Sequence, residues 1–135
     1  MIVYKVVDKK SRYGSNAAIY MKINNLDQNQ FKKQIEGWRI SNYFPKYKKD
    51  EIVKYVKRSP GIMCFENPNK AKQFIMKENI DDVTEIIKVK GIDMIYDGNR
   101  RFDIVRCVGS KPFDIYTMPN LSVRYITFKE VEVLE

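Results

Sequence analysis

Residues 61–91 read GIMCFENPNKAKQFIMKENIDDVTEIIKVKG, and this stretch decides the predicted fold. Residues 62–65 form a continuous apolar run, which predicts a central strand covered on both faces. Residues 83–89 are rich in β-branched side chains and predict a second strand that ends at Gly91. The segment between them has the signals of a helix, so the order strand, helix, strand indicates an α+β domain.

The helix is predicted over residues 68–77. Asn67 is suited to cap its N-terminus, because its side chain can accept a hydrogen bond from a free backbone N–H group. Pro68 is suited to the first helical position, where no N–H group is needed. The apolar positions recur at the helical spacing i, i+3, i+4 and are Ala71, Phe74 and Ile75.

The first forty residues predict a hairpin followed by a second helix. The apolar segments at residues 2–7 (IVYKVV) and 16–23 (NAAIYMKI) flank a polar turn and predict two strands. Arg12 lies in that turn, which we expect to be a solvated loop. Capping residues and a helical stripe predict a helix over residues 27–36, which Trp38 anchors on the core.

The second half of the chain is predicted to be mostly strands. Residues 50–58 favour a short strand, the Asp97-Gly98 pair favours a hairpin between residues 93–96 and 100–108, and residues 122–134 predict a closing strand with a small β-bulge. We therefore predict a single α+β domain over residues 1–135, with about six mostly antiparallel strands and two helices packed on the sheet.

Composition excludes several classes of site. The chain has no histidine, so histidine-based triads, the commonest zinc sites and the usual neutral-pH base are excluded. Cys64 and Cys107 lie in apolar runs and are expected to be buried, reduced thiols. There is no apolar run long enough to cross a membrane, so we expect a cytoplasmic protein, and we predict no cofactor and no metal.

The positive charge is concentrated in the first half. Residues 1–60 hold 14 Lys and Arg and 5 Asp and Glu, a net +9, whereas residues 61–135 hold 11 and 12, a net −1. The densest part is residues 43–58, YFPKYKKDEIVKYVKR, where Pro45 favours an exposed loop. Lysines neutralise phosphates and tyrosines stack on exposed bases. The predicted contact residues are Arg39, Tyr43, Lys46, Tyr47, Lys48, Lys49, Lys54, Lys57 and Arg58.

Three features resemble a group of small, uncharacterised proteins that bacteriophages and mobile elements commonly encode. These features are IVYKVV with a serine and an arginine soon after it, GIMCFENPNKAKQFI followed by EIIKVKGI, and the closing VRYITFKEVEVL. The group carries no established activity. The resemblance implies a viral or mobile-element origin.

From the charge and the resemblance we expect a small intracellular accessory protein, more a binding protein than an enzyme. It would bind a host nucleoprotein or an acidic protein surface through residues 43–58, as an inhibitor of host defence of the anti-CRISPR kind. One alternative is a plain DNA- or RNA-binding protein. The other is a nucleotide-using enzyme, because the strand order also resembles the ADP-ribosyltransferase fold. That fold has its arginine on the first strand, whereas Arg12 falls in a loop.

Overall fold

The computed structural model describes residues 1–57, 59–99 and 123–135, together with the backbone of four short strands between the last two ranges. The described helices are α1 (Ser15–Ile23), α2 (Gln28–Gly37) and α3 (Pro68–Glu78). The described strands are β1 (Ile2–Asp8), β2 (Ile52–Lys54), β3 (Ile62–Cys64), β4 (Thr84–Gly98), β5 (Arg101–Phe102), β6 (Arg106–Val108), β7 (Lys111–Asp114), β8 (Thr117–Met118) and β9 (Tyr125–Val133). The predicted α+β class is confirmed, with three described helices where two were predicted.

The main sheet is antiparallel and has five strands. Its order is β1-β4-β9-β2, and β3 pairs with another part of β9. Just beyond β3, Phe65 forms a bridge to β1, in which Tyr4 N donates to Phe65 O at 2.8 Å and Phe65 N donates to Tyr4 O at 2.7 Å. The predicted strand at residues 62–65 therefore lies between β9 and β1, and as predicted it is covered on both faces, by the cluster that contains Ile62 and Cys64 and by the cluster that contains Phe65.

The strand predicted to end at Gly91 continues to Gly98. Gly91 does not break β4, because the ring of Phe128 on β9 occupies the space that a side chain would fill. A Cβ built on Gly91 would lie 2.4 Å from that ring. Glycine in a strand is tolerated where an aromatic ring covers it in this way.

The predicted bulge lies in β4 and not in the closing strand. Met94 pairs with Phe128 and Tyr96 pairs with Thr127, so Ile95 is the extra residue. The predicted hairpin at Asp97-Gly98 is wrong, because both residues pair with β9, and β5 pairs with β8. The rest of residues 92–120 lies partly outside the described residues.

Residues 16–23 form a helix and not the predicted strand. A short apolar run has no periodicity that separates a strand from a buried helix. Here Ala17, Ala18 and Met21 favour a helix by propensity and are buried, with exposed fractions of 0%, 1% and 7%. Helix α1 is enclosed because Ile19 packs with α3 while Ala17 and Met21 pack with α2.

The two predicted helices are confirmed. Asp27 forms a capping box with Gln30 at the start of α2, and Asn67 Oδ1 accepts a hydrogen bond from Lys70 N at 2.9 Å at the start of α3. Trp38, however, does not anchor α2, because its side chain is 39% exposed.

No helix in the described part of the chain is long and apolar enough to span a membrane.

Candidate anion-binding pocket

The basic stretch at residues 43–58 is anchored to the core by three buried side chains, Phe44, Tyr47 and Val53. Phe44 is 5% exposed and meets the Phe31 ring of α2 edge-on at 5.2 Å. Tyr47 is 4% exposed and belongs to the cluster under the main sheet. The predicted solvent-facing loop is therefore wrong for these two side chains. The buried side chains fix the backbone of this stretch, and the lysines that follow Tyr47, Lys48 and Lys49, are exposed on it.

Arg12 connects this stretch to the sheet. Its Nε donates to Tyr47 O at 2.9 Å, and Tyr47 N donates to Arg12 O at 2.8 Å. Its two terminal nitrogens bind Glu85, at 3.2 Å, and the backbone oxygen of Glu135. The predicted solvated loop is thus wrong for Arg12, whose guanidinium is a structural brace.

The predicted contact residues are divided between surface and interior. Lys48, Lys49, Lys54, Lys57 and Arg39 are exposed, and Tyr43 is half-buried. Lys46 is half-buried, with its ammonium 5.0 Å from the centre of the Tyr13 ring. Tyr47 is buried, and Arg58 lies outside the described residues.

A pocket of about 160 Å³ opens beside the basic stretch. Its walls come from β1, β3 and β9, from the first turn of α1, from residues 43–47 and 54–56 of the basic stretch, and from the flanking residues 42 and 59–61. The structure brings together here three of the predicted residues, Tyr43, Tyr47 and Lys54. The largest polar and aromatic side chains in the lining are Lys5, Lys54, Tyr43, Tyr47, Tyr55 and Tyr125.

The lining has a single sign of charge. Among the described residues that line the pocket there are two lysines and no aspartate or glutamate. Lys54 pairs across the strands with Glu130, but Glu130 does not belong to the lining. A concave site with low-dielectric walls and one sign of charge concentrates its field on a ligand of the opposite sign. The pocket is therefore suited to an anion.

Lys5 is the unusual member of the lining. It lies on β1 between Val3 and Val7, on the strand face that packs against the core, and is 5% exposed. Its ammonium lies 5.0 Å from the centre of the Tyr47 ring. Among the described residues it has no hydrogen-bond or ion-pair partner. A buried lysine without a partner is costly, because the ammonium loses its hydration.

Burial lowers the pKa of Lys5 from its ordinary value, and the nearby Cys64 opposes that shift in part. The Cys64 thiol is itself fully buried, and burial raises its pKa to about 12. A thiol that stays protonated is a poor nucleophile. Burial thus disfavours the charged form of Lys5 in the free protein, while the Cys64 thiol stays protonated.

The start of α1 adds to the positive potential. Its N-cap is Gly14, which has no side-chain capping bond, and its first turn contains no acidic residue. A Cβ built on Gly14 would lie 3.6 Å from Lys5 Nζ, so the helix start and the ammonium are neighbours. The N-terminus of a helix carries a partial positive charge, which favours a bound anion.

Thr127 on β9 contributes a second unsatisfied group to the wall. Its Oγ1 is the one fully enclosed side-chain oxygen or nitrogen without a partner in the described part of the chain. Lys5 also lines the pocket and has no hydrogen-bond or ion-pair partner among the described residues. The described residues contain no group of three acidic or cysteine side chains that could hold a metal ion.

Comparison with other proteins adds no assignment, because the chain matches no protein-family model, no curated protein and no solved structure at a significant level. The resemblance to bacteriophage proteins therefore stays a prediction. Lys5, Tyr125 and Thr127 line the pocket but are not among the predicted contact residues. Only Lys5 had a signal: it interrupts an apolar strand on the same face as Val3 and Val7, where a period of two places the core.

Proposed function

We propose that the protein is a binding protein that holds single-stranded nucleic acid, free or within a nucleoprotein complex, against residues 43–57. The observation that carries the proposal is the pocket beside this stretch, in which two lysines and four tyrosines meet and no described lining residue is acidic. The exposed lysines of the same stretch extend the positive surface beyond the pocket.

Electrostatics supplies the general affinity. Lys48, Lys49, Lys54 and Lys57 are exposed, so their ammonium groups are available to phosphates. Each phosphate that a lysine neutralises releases condensed counterions, which makes binding weaker as salt rises. With about four such contacts, the log–log slope of affinity against salt for a single strand is expected to be about −3.

The tyrosines favour single-stranded nucleic acid over an acidic protein surface. Tyr43 and Tyr55 are half-buried and line the pocket, so their rings are held in place by the core while part of each ring borders the open space. Stacking of an exposed base on such a ring contributes about 1–3 kcal/mol. In a duplex the bases are paired and their faces are not available.

In the cell, the proposed ligand is a host nucleoprotein, and the proposed effect is inhibition of host defence. This part rests on the resemblance to bacteriophage proteins together with the basic surface. Capture from host lysate with and without nuclease separates the two kinds of partner. Release of the partner by nuclease supports the nucleic-acid proposal, whereas capture that survives nuclease supports the acidic-protein alternative.

The direct test compares binding of a fluorescent single-stranded oligonucleotide to two charge-reversed variants. The double variant Lys48→Glu, Lys49→Glu is expected to lose at least about tenfold in affinity at low salt and to reduce the salt slope. Lys32→Glu, Lys33→Glu is the matched control, because it reverses two adjacent exposed lysines on α2, outside the pocket lining. Equal losses in both variants, or no binding by the wild type at low salt, would refute the proposal.

A further inference from the structure

The pocket around Lys5 is built differently from the lysine surface outside it. Surface lysines are hydrated and interact with any phosphate that passes. Lys5 is 5% exposed, has no ion-pair or hydrogen-bond partner among the described residues, and borders a cavity of about 160 Å³. An unpaired ammonium held in such a place destabilises the free protein unless a ligand supplies the missing negative charge.

The geometry points to a terminal phosphate as that ligand. We propose that the pocket binds the phosphomonoester end of a nucleotide, with the phosphate against Lys5 and the start of α1, and the base against the tyrosines of the lining. This inference rests on the proposed function and names the part of the nucleic acid that the pocket selects. The shared chemistry is a phosphomonoester, whether it ends a strand or belongs to a free mononucleotide.

Three features select a phosphomonoester over an internal phosphodiester. A terminal phosphate carries nearly two negative charges at neutral pH, whereas an internal phosphate carries one. The pocket is a concavity that a strand end can enter, while the middle of a strand would have to fold into it. The partner groups are an ammonium and the N-terminus of a helix, which lie within a few ångströms of each other; one first-turn N–H group, Ala17 N, already donates to Asn16 Oδ1 at 2.9 Å. Both kinds of group are donors that proteins commonly present to phosphate.

The tyrosines extend the site from the phosphate to the base. Tyr47 lies directly under the Lys5 ammonium, at 5.0 Å from its ring centre, and so marks the phosphate end of the pocket. Tyr43 and Tyr55 belong to the half-buried part of the lining. A ligand that combines a phosphate with an aromatic ring matches a lining that combines an ammonium with tyrosine rings.

The experiment measures affinities of the full chain for four probes. They are one oligonucleotide with a 5′-phosphate, with a 3′-phosphate or with hydroxyls at both ends, and a free nucleoside 5′-monophosphate. The wild type is expected to bind one phosphorylated form at least tenfold more tightly than the hydroxyl form. Lys5→Met should abolish that preference and leave the salt-dependent binding of the hydroxyl form within about twofold. Lys88→Met, which removes an exposed strand lysine outside the pocket, should change neither.

The outcomes separate the two proposals. If oligonucleotides bind but end phosphorylation makes no difference, the terminal-phosphate site is refuted and the proposed function stands. If only the free monophosphate binds and Lys5→Met abolishes that binding, the site stands and the function is refuted. Sodium acetate at matched ionic strength should not compete; equal competition by acetate would show a general anion site and overturn the assignment to phosphate.

Discussion

Replacing Lys5 with methionine should make the protein more stable while it removes the terminal-phosphate preference. Methionine has a similar length and flexibility but no charge, so it can occupy the same space on β1. Lys5 is 5% exposed and its ammonium has no ion-pair or hydrogen-bond partner among the described residues. The substitution therefore removes the desolvation cost of a charge without opening a cavity.

The expected gain follows from two opposing contributions. Burial of an ion costs several kcal/mol in real proteins, and apolar replacement of buried ionic groups often stabilises by about 1–4 kcal/mol. Against this, the variant loses the attraction between the ammonium and the Tyr47 ring at 5.0 Å, which is worth about 2 kcal/mol when desolvated. The lost attraction offsets the lower part of that range, so we expect a net gain of up to about 2 kcal/mol in the free energy of unfolding at pH 7.

The gain should depend on pH with a defined sign. Burial lowers the pKa of Lys5 in the folded protein below the 10.5 of the unfolded chain. Between these two values the unfolded chain binds more protons, so the stability of the wild type rises with pH through this window. The variant lacks this rise, and its advantage should be larger at pH 7 than at pH 10. The raised pKa values of Cys64 and Tyr47 lower stability at alkaline pH in both proteins. Lys5 lowers the pKa of Cys64 in part, so this loss is larger in the variant and acts in the same direction as the loss of the Lys5 charge.

The assay is urea unfolding of wild type, Lys5→Met and Lys88→Met at pH 7 and pH 10, followed by circular dichroism. The change for the Lys88 control should stay within about 0.5 kcal/mol, as for most surface substitutions. A lower stability of Lys5→Met at pH 7 would mean that the lysine has a stabilising partner. A gain of the same size at both pH values would mean that its charge is not the cause. Either result would refute the reasoning.

Three further substitutions or treatments test the packing. Gly91→Ala should lower stability by about 1–3 kcal/mol in thermal unfolding, because its Cβ would lie 2.4 Å from a buried phenylalanine ring. Gly37→Ala, where a Cβ meets no atom within 4 Å, is its control, and equal losses would contradict the contact. Thr127→Val should leave stability unchanged or raise it, since its hydroxyl has no partner; a loss above about 1 kcal/mol in urea unfolding would reveal one. In a Cys107→Ser background, Cys64 should not react with an aromatic disulfide reagent at pH 8 until denaturant is added, because it is fully buried and its pKa is raised to about 12; rapid native labelling would contradict this.

Short sequence patterns were sufficient to predict the helix N-termini and one buried strand. Asp27 and Asn67 each cap a helix, and their side chains form the expected bonds to backbone N–H groups. The apolar run at residues 62–65 indicated a strand covered on both faces, and its side chains alternate between two buried clusters, Ile62 and Cys64 in one and Met63 and Phe65 in the other. For the two caps, the deciding atoms are three residues apart, so the sequence contains the whole cause.

Contacts between residues far apart in the sequence decided the elements that the sequence predicted wrongly. Residues 16–23 are helical because α2 and α3 enclose them, and β4 passes through Gly91 because Phe128 covers it. The basic character of residues 43–58 could be read directly from the sequence, and their use as contact residues stays a prediction.

The pocket could not be read from the sequence in the same way. It joins Lys5 to Tyr47, forty-two positions later, and to Thr127 near the far end of the chain. Charge and aromatic content are local properties that the amino-acid sequence determines by itself. A cavity is defined by which side chains face one another across the sheet, and only the pairing of β1, β3 and β9 in the tertiary structure sets that.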